Sequence, residues 1–264
     1  MNSVTTKEFF VDIEEGTLYI KKWIPENPKS TSPIVLMHDS LGCVDLWRNF
    51  PEQLARSLSC IVIAYDRLGF GRSSFNKNTL NVGFIWDEAE YYFPYIKKAA
   101  QFNKYFLFGH SVGGGMSIGI AALDKECIGV ITESAQAFVE DLTIKGITEA
   151  KKSFIHPEQM KRLAKWHGNK ASWVLKSWVD VWLSPEFSSW SIESRIGKVT
   201  CPVFAIHGDR DEYGSKAFPE FIVQNVSGKS KIMILDDCGH VPHKEKMEEV
   251  INQTMLFFND YCTV

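Results

Sequence analysis

The chain carries little net charge and has no long hydrophobic run. Its 264 residues give a formal net charge of −3 and an isoelectric point near 6.2. This balance provides no electrostatic case for binding nucleic acid or an anionic membrane surface. No apolar stretch approaches the length of a membrane span, and residues 1–8 lack the apolar region of a secretory signal. We therefore expect a protein without a membrane span.

Cysteines are few and dispersed. The six residues are spread along the chain rather than set in a disulfide pattern, and several begin apolar runs, where a small buried thiol fits. We therefore expect reduced cysteines and a cytoplasmic location.

Signals for cofactors are also scarce. The segment Gly69-Phe70-Gly71 lacks the third glycine of a dinucleotide-binding loop. His240 and His243 have a spacing that metal ligands can have, but the sequence around them shows no acidic or thiolate cluster to complete a site. The sequence therefore predicts neither a metal nor another cofactor.

What the sequence does contain is an alternation of buried strands and amphipathic helices. A hairpin is predicted over residues 9–24, and helices over 46–58, 86–100, 112–123 and 244–261. With 45% hydrophobic residues, this pattern predicts an α/β fold with a mostly parallel sheet covered by helices on both faces. The alternation stops at a helical, tryptophan-rich stretch. We therefore expect a core formed by residues 1–135 and 200–264, with a helical cap inserted over residues 136–199.

One pentapeptide indicates chemistry. Gly109-His110-Ser111-Val112-Gly113 follows an apolar strand over 104–108 and precedes a run of small residues that begins a helix. The string is common by itself, but a strand-to-helix turn at Ser111 is what a nucleophile elbow requires. Its glycines leave room for a strained backbone that exposes the serine hydroxyl.

A serine nucleophile needs a base and an acid, and candidates for both follow later strands. Asp211 comes after the apolar run 201–206, and His240 comes after the run 231–235. The order serine, acid, histidine is the one expected after such an elbow, at the carboxyl ends of parallel strands. Glu133, at the end of the strand before the cap, is an alternative acid.

These motifs resemble the α/β-hydrolase superfamily over nearly the whole chain. The resemblance implies that Ser111, Asp211 and His240 are the catalytic residues, and that the backbone N–H groups of Ser40 and Val112 form the oxyanion hole. The segments that carry it are Gly208 to Asp211, Gly239-His240, His38-Asp39-Ser40-Leu41-Gly42, and the loop from Tyr65 to Ser73.

Asp39 departs from the family pattern, which usually has glycine there. A carboxylate in this loop would either fix the loop by hydrogen bonds or weaken the oxyanion hole by repelling negative charge. The same segment, together with Tyr65 to Ser73, is similar to a bacterial subgroup of AidA-like hydrolases that degrade acyl-homoserine-lactone signals, an activity known as quorum quenching.

The resemblance implies a serine esterase or lactonase that acts on a small apolar ester or lactone. Large rings in the cap predict an apolar substrate pocket, with Trp178, Trp182 and Phe138 as contacts. Alternatives that share the triad are a small-ester carboxylesterase, a C–C hydrolase and a cofactor-free perhydrolase. The alternative that is not an enzyme is a hydrolase-like receptor for a small molecule. The sequence leaves the substrate and the oligomeric state open.

Overall fold

The computed structural model describes residues 3–262. Its strands are β1 Val4–Ile13, β2 Gly16–Pro25, β3 Ser30–Met37, β4 Cys60–Tyr65, β5 Tyr105–His110, β6 Cys127–Glu133, β7 Val203–Gly208 and β8 Ser230–Leu235. Its helices are α1 Phe50–Leu58, α2 Phe84–Asp87, α3 Phe93–Ala100, α4 Val112–Leu123, α5 Asp141–Ser153, α6 Pro157–His167, α7 Ala171–Trp182, α8 Glu193–Ile196, α9 Ala217–Asn225, α10 Pro242–Glu245 and α11 Met247–Tyr261.

The eight strands form one sheet in the order β1-β2-β4-β3-β5-β6-β7-β8. β1 and β2 form the expected hairpin, and β2 pairs antiparallel with β4. All the other neighbours are parallel, so their carboxyl ends share one edge of the sheet. The expected α/β class with a mostly parallel sheet is confirmed.

Helices cover both faces of the sheet, as expected. One buried apolar cluster includes side chains of α2, α3, α4 and α9, and a second includes those of α1 and α11. Two helices differ in detail from the sequence pattern. A π-helical turn over Glu88–Tyr92 separates α2 from α3, and the last helix is divided into α10 and α11. No helix within residues 3–262 is long and apolar enough to cross a membrane.

Helices α5 to α8 lie between β6 and β7, where the sequence predicts a cap. His167 at the end of α6 fastens this region to two core loops. Its Nδ1 accepts a hydrogen bond from the Gly71 N–H (3.0 Å), and its Nε2 donates to the Leu41 carbonyl (3.0 Å). The helical region is thereby held against the loops that follow β3 and β4. The domain boundaries at residues 136 and 199 stay a prediction.

Candidate active site

Ser111 occupies a strained turn between β5 and α4. Its φ of 57° and ψ of −125° place a non-glycine residue in the left-handed half of backbone space. Such conformations cost about 1–3 kcal/mol and are found mainly at functional sites. The flanking glycines are required by close contacts, because a Cβ at Gly109 would lie 2.3 Å from the Gly113 carbonyl oxygen. A Cβ at Gly113 would lie 2.2 Å from the Met37 carbonyl oxygen. The turn therefore has the geometry of a nucleophile elbow.

Two free backbone N–H groups flank this turn. Val112 is the first residue of α4, where the helix leaves its N–H groups without intrahelical acceptors. Ser40 lies in the loop after β3, which the Gly113 contact holds against the elbow. Neither the Ser40 nor the Val112 N–H has an acceptor among residues 3–262. Both are available to a negatively charged oxygen near Ser111.

His240 and Asp211 form a buried hydrogen-bonded pair. His240 Nδ1 lies 2.8 Å from both Asp211 carboxylate oxygens, and Oδ1 also accepts the Tyr213 N–H at 2.8 Å. Burial lowers the pKa of His240, but the Asp211 hydrogen bond and charge outweigh it, so the pKa lies above its ordinary value. Burial likewise raises the pKa of Asp211, and the His240 hydrogen bond and charge bring it below its usual range. Asp211 is therefore ionised, and Nε2 of the neutral imidazole is free to accept a proton.

The backbone of His240 is tied to the elbow. His110, the residue before Ser111, donates from Nε2 to the His240 carbonyl oxygen at 2.8 Å. Burial is the main cause that lowers the pKa of His110 to about 4. His110 therefore stays neutral near pH 7 and acts as a fixed donor between the two loops.

The alternative acid, Glu133, contacts a different histidine. Its Oε2 lies 2.5 Å from His243 Nδ1, and its Oε1 is buried with no partner among the described residues. Three ligand-type atoms, one each from His110, Glu133 and His243, lie within 4.8 Å of one another. The sequence around His240 and His243 did not reveal this group, because Glu133 is distant in sequence and close in space, and His240 is not part of it. Within this group, Glu133 and His243 are already hydrogen-bonded to each other.

The Ser111 hydroxyl has a partner that sequence reasoning missed. Its Oγ lies 3.2 Å from Oε1 of Gln136, a buried residue on the segment after β6. The Gln136 amide nitrogen has no hydrogen-bond partner among residues 3–262. The sequence did offer a signal for this contact, because Gln136 is a polar residue three positions after the end of β6, at the sheet edge that carries the elbow.

Asp39 fixes its loop through its backbone rather than its side chain. The Asp39 carbonyl oxygen accepts hydrogen bonds from His38 Nδ1 and from an Arg67 guanidinium nitrogen, both at 2.8 Å. Partial burial raises the pKa of the Asp39 carboxyl, but the surrounding histidines and Lys244 outweigh it and lower the pKa. The carboxylate therefore stays ionised near the Ser40 loop.

The predicted cap contacts have three different surroundings. Trp178 and Trp182 line a narrow cleft together with Ser40. Trp178 is half-buried and contacts Tyr213, whose ring centroid lies 4.8 Å from that of His240. Trp182 is only 1% exposed, and its ring packs against neighbouring aromatic rings within the protein. Phe138 packs instead against Phe218 and Phe221 and does not line that cleft.

Comparisons with known proteins agree with this architecture. The family model of the alpha/beta hydrolase fold matches residues 32–147, which contain the Ser40 loop and the elbow. A proline iminopeptidase from Mycobacterium smegmatis is 19% identical, with a TM-score of 0.73 over 97% of this chain and 98% of that one. CarC, a serine hydrolase involved in carbazole degradation, is 22% identical, with a TM-score of 0.71 over 97% and 99%. The carboxylesterase CesB from Bacillus subtilis is 17% identical, with a TM-score of 0.70 over 96% and 92%.

Among curated protein sequences, none matches this chain. At these identities the solved structures report on fold alone. Their near-complete coverage, the family match and the eight-stranded sheet lead to one conclusion. The chain has the α/β-hydrolase fold.

Proposed function

We propose that this chain is a serine hydrolase that cleaves a carboxylic ester or lactone through an acyl-enzyme. Ser111 is the nucleophile, His240 the general base, and Asp211 the group that orients the imidazole. The observation that carries the proposal is the 2.8 Å contact of His240 Nδ1 with both Asp211 oxygens, in a loop tied by His110 to the strained elbow. The same triad recurs on unrelated folds and is recognised by these roles.

The steps follow from the groups present. His240 Nε2 takes the Ser111 proton as Oγ attacks the carbonyl carbon, and Asp211 stabilises the resulting imidazolium. The Ser40 and Val112 N–H groups bind the oxyanion, each contributing about 3 kcal/mol. His240 then protonates the leaving alkoxide, which for a lactone remains attached to the acyl chain. Water, deprotonated by His240, finally releases the acid and restores the serine.

The substrate that we favour is an apolar ester or lactone, with acyl-homoserine lactones as the finer hypothesis. Support comes from the cleft beside Ser40, whose other lining residues are mostly apolar or aromatic: Phe70, Leu80, Phe84, Trp178 and Trp182. The sequence similarity of the Asp39 loop to the AidA-like hydrolases points the same way. Lactonase activity on such signals would make the protein a quorum-quenching enzyme.

A second candidate is a hydrolase of short esters, and one observation favours it. The cleft beside Ser40 has almost no open volume, so in this conformation it offers no room for a long acyl chain. A chain-length series separates the two, because kcat/KM falls steadily from acetate upward in a short-ester enzyme and rises with length in an enzyme that binds chains. Replacing Trp178 by Ala would flatten such a rise, whereas Trp182 is too deeply packed to report on substrate alone.

The proposal is tested by labelling and by replacement of the serine. A fluorophosphonate probe is expected to modify Ser111, and Ser111→Ala is expected to lose at least a thousandfold of its activity on activated esters. Ser172→Ala, at an exposed position of α7, is the matched control and keeps full activity. If the probe does not modify the wild-type protein, and the protein binds esters or lactones without hydrolysing them, the protein is a receptor instead.

A further inference from the structure

The reacting serine is almost sealed from solvent. Ser111 is 4% exposed, and the cleft beside Ser40 has almost no open volume. The cleft beside Ser40 therefore takes up part of a substrate only when some part of its wall moves. The cleft shares wall residues with two larger cavities.

The two neighbouring cavities differ in size and polarity. One has a volume of about 100 Å³ and is lined by polar groups that include Arg67, Glu88 and several asparagines. The other, here called the outer pocket, has a volume of about 420 Å³. Its wall includes Leu80, Val82, Trp173, Ser177 and Val181, with charged side chains of both signs beside them. Pockets that hold small ligands measure about 300–1,000 Å³. Of these two cavities, only the outer pocket combines such a volume with apolar wall residues.

A thin partition separates the outer pocket from the cleft beside Ser40. Leu80 and Ser177 line both the outer pocket and the cleft beside Ser40. The same helix, α7, forms a wall of each space, with Trp178 lining the cleft and Val181 lining the outer pocket. The wall between the outer pocket and the cleft is therefore about one side chain thick.

The loop that carries Leu80 is anchored by hydrogen bonds on both sides of this residue, but not at Leu80 itself. Asn78 is fastened on one side of it, because its carbonyl accepts the Trp173 Nε1–H at 2.9 Å. Asn81 is fastened on the other side, because its amide donates to the Asp87 carboxylate at 2.8 Å. Thr79 and Leu80, which lie between, have no hydrogen bond to any residue from 3 to 262. Displacing Leu80 therefore breaks apolar contacts alone.

We propose that the outer pocket binds the aliphatic acyl chain of the substrate, and that Leu80 is the movable partition through which the chain reaches Ser111. This inference rests on the proposed hydrolase function and names its substrate class, esters or lactones with an extended alkyl chain. The charged residues at the rim, Lys176, Asp180 and Glu186, are of both signs. They provide no single-sign site for an ionic group, which fits an uncharged chain.

The first test fills the outer pocket with a bulky side chain. Val181→Trp places an indole in the pocket from α7, and Thr79→Trp does so from an exposed loop position that does not disturb the core. Ser172→Trp, at an exposed position of α7 outside the pocket, is the matched control. The measurement is kcat/KM for p-nitrophenyl esters from acetate to decanoate, below their aggregation limits.

In the wild type and the control, kcat/KM is expected to rise about fourfold for each buried methylene. Either filled variant is expected to lose at least tenfold on octanoate while staying within twofold on acetate. Equal losses on both esters, or an unchanged octanoate rate in both variants, would overturn the acyl-chain site. Ser111-dependent hydrolysis by the wild type would show in that case that the proposed function itself stands. A wild type without such hydrolysis would overturn both.

The second test removes the partition. Leu80→Ala is expected to speed fluorophosphonate labelling of Ser111 severalfold, because the way to the serine is then open. Leu256→Ala, which truncates a leucine that is 51% exposed on α11, is the matched control and leaves the rate unchanged. An unchanged labelling rate in Leu80→Ala would show that Leu80 does not limit access.

Discussion

Two buried histidine–carboxylate pairs lie side by side in this protein. His240 contacts Asp211 through Nδ1 at 2.8 Å, and His243 contacts Glu133 through Nδ1 at 2.5 Å. Both carboxylate side chains are completely buried. The pairs differ in what surrounds the ring, since the His243 ring packs against Trp47 while the His240 ring packs against Tyr213 beside the cap.

The hydrogen bond between an imidazole and a carboxylate therefore does not by itself define a catalytic pair. Each carboxylate holds one imidazole in a fixed tautomer, but only His240 belongs to the loop whose carbonyl is bonded to the elbow. Glu133 also receives the Ser111 N–H on its backbone carbonyl at 2.9 Å. We therefore expect the Asp211 pair to act on reacting atoms and the Glu133 pair to support the elbow.

The largest expected effect comes from removing the charge of the first pair. Asp211→Asn keeps the shape of the side chain, but the imidazole loses its correct tautomer and the charge that stabilises the imidazolium. Turnover of an activated ester is expected to fall by up to about four orders of magnitude. Comparing kcat of Asp211→Asn with that of Glu133→Gln tests the assignment, and a larger loss in the second variant would reverse it.

Glu133→Gln is expected to change stability more than turnover. The amide still accepts one hydrogen bond from His243, but the bond to a charged group is lost, at a cost of about 2 kcal/mol. Thermal unfolding is expected to shift down by several degrees, and kcat to stay within about tenfold of the wild type. A stable protein with turnover as low as that of Asp211→Asn would place Glu133 in the catalytic machinery.

The pH dependence of activity distinguishes the His240–Asp211 pair from the His243–Glu133 pair by the position of its midpoint rather than by the level of activity. Asp211 holds the pKa of His240 above its ordinary value, and the base is active only when neutral. Activity is therefore expected to rise with pH, with a midpoint above about 6.5. Asp211→Asn is expected to move this midpoint to lower pH, and Glu133→Gln to leave it in place. The measurement is kcat/KM against pH, and equal shifts in both variants would contradict the distinction.

The smallest effect concerns the Ser111 hydroxyl. In this structure its hydrogen bond is to Gln136, whose carbonyl oxygen cannot take the proton. Breaking a neutral hydrogen bond of this kind costs about 1 kcal/mol, or about fivefold in rate. Gln136→Met, which keeps the volume but removes the acceptor, is expected to speed fluorophosphonate labelling by up to that factor. Gln224→Met on an exposed face of α9 is the control, and slower labelling in Gln136→Met would show that the amide assists the serine.

Much of the fold was predictable because it depends on local patterns. The hairpin and the parallel strands follow from residue periodicity, and the elbow follows from the glycines two residues before and after Ser111. Long-range pairing was not predictable in the same way. Glu133 was open to either histidine, because His240, in the loop after β8, and His243, in α10, are only three residues apart, and the path of the chain over the sheet edge decides which ring the carboxylate meets.

The aromatic residues of the cap show a similar limit. Helical spacing placed Trp178 and Trp182 on one side of α7, and both do line the cleft beside Ser40. Spacing could not show that Trp182 is held among other rings of the cap region, or that Phe138 faces α9. Those contacts depend on how the helical region packs against the core, to which the hydrogen bonds of His167 contribute from distant positions.

The contact between Gly113 and the Met37 carbonyl has a consequence for altering this protein by directed evolution. The elbow and the chain at the end of β3 touch through backbone atoms, so Gly113 cannot be replaced by a larger residue without displacing the backbone. We expect substitutions at Gly113 to abolish hydrolysis rather than to change substrate preference. The loop from Thr79 to Val82 carries no such restriction, since its side chains line the outer pocket and Thr79, Leu80 and Val82 make no hydrogen bonds to residues 3–262. We therefore expect mutations in this loop to change substrate preference while Ser111, His240 and Asp211 stay in place.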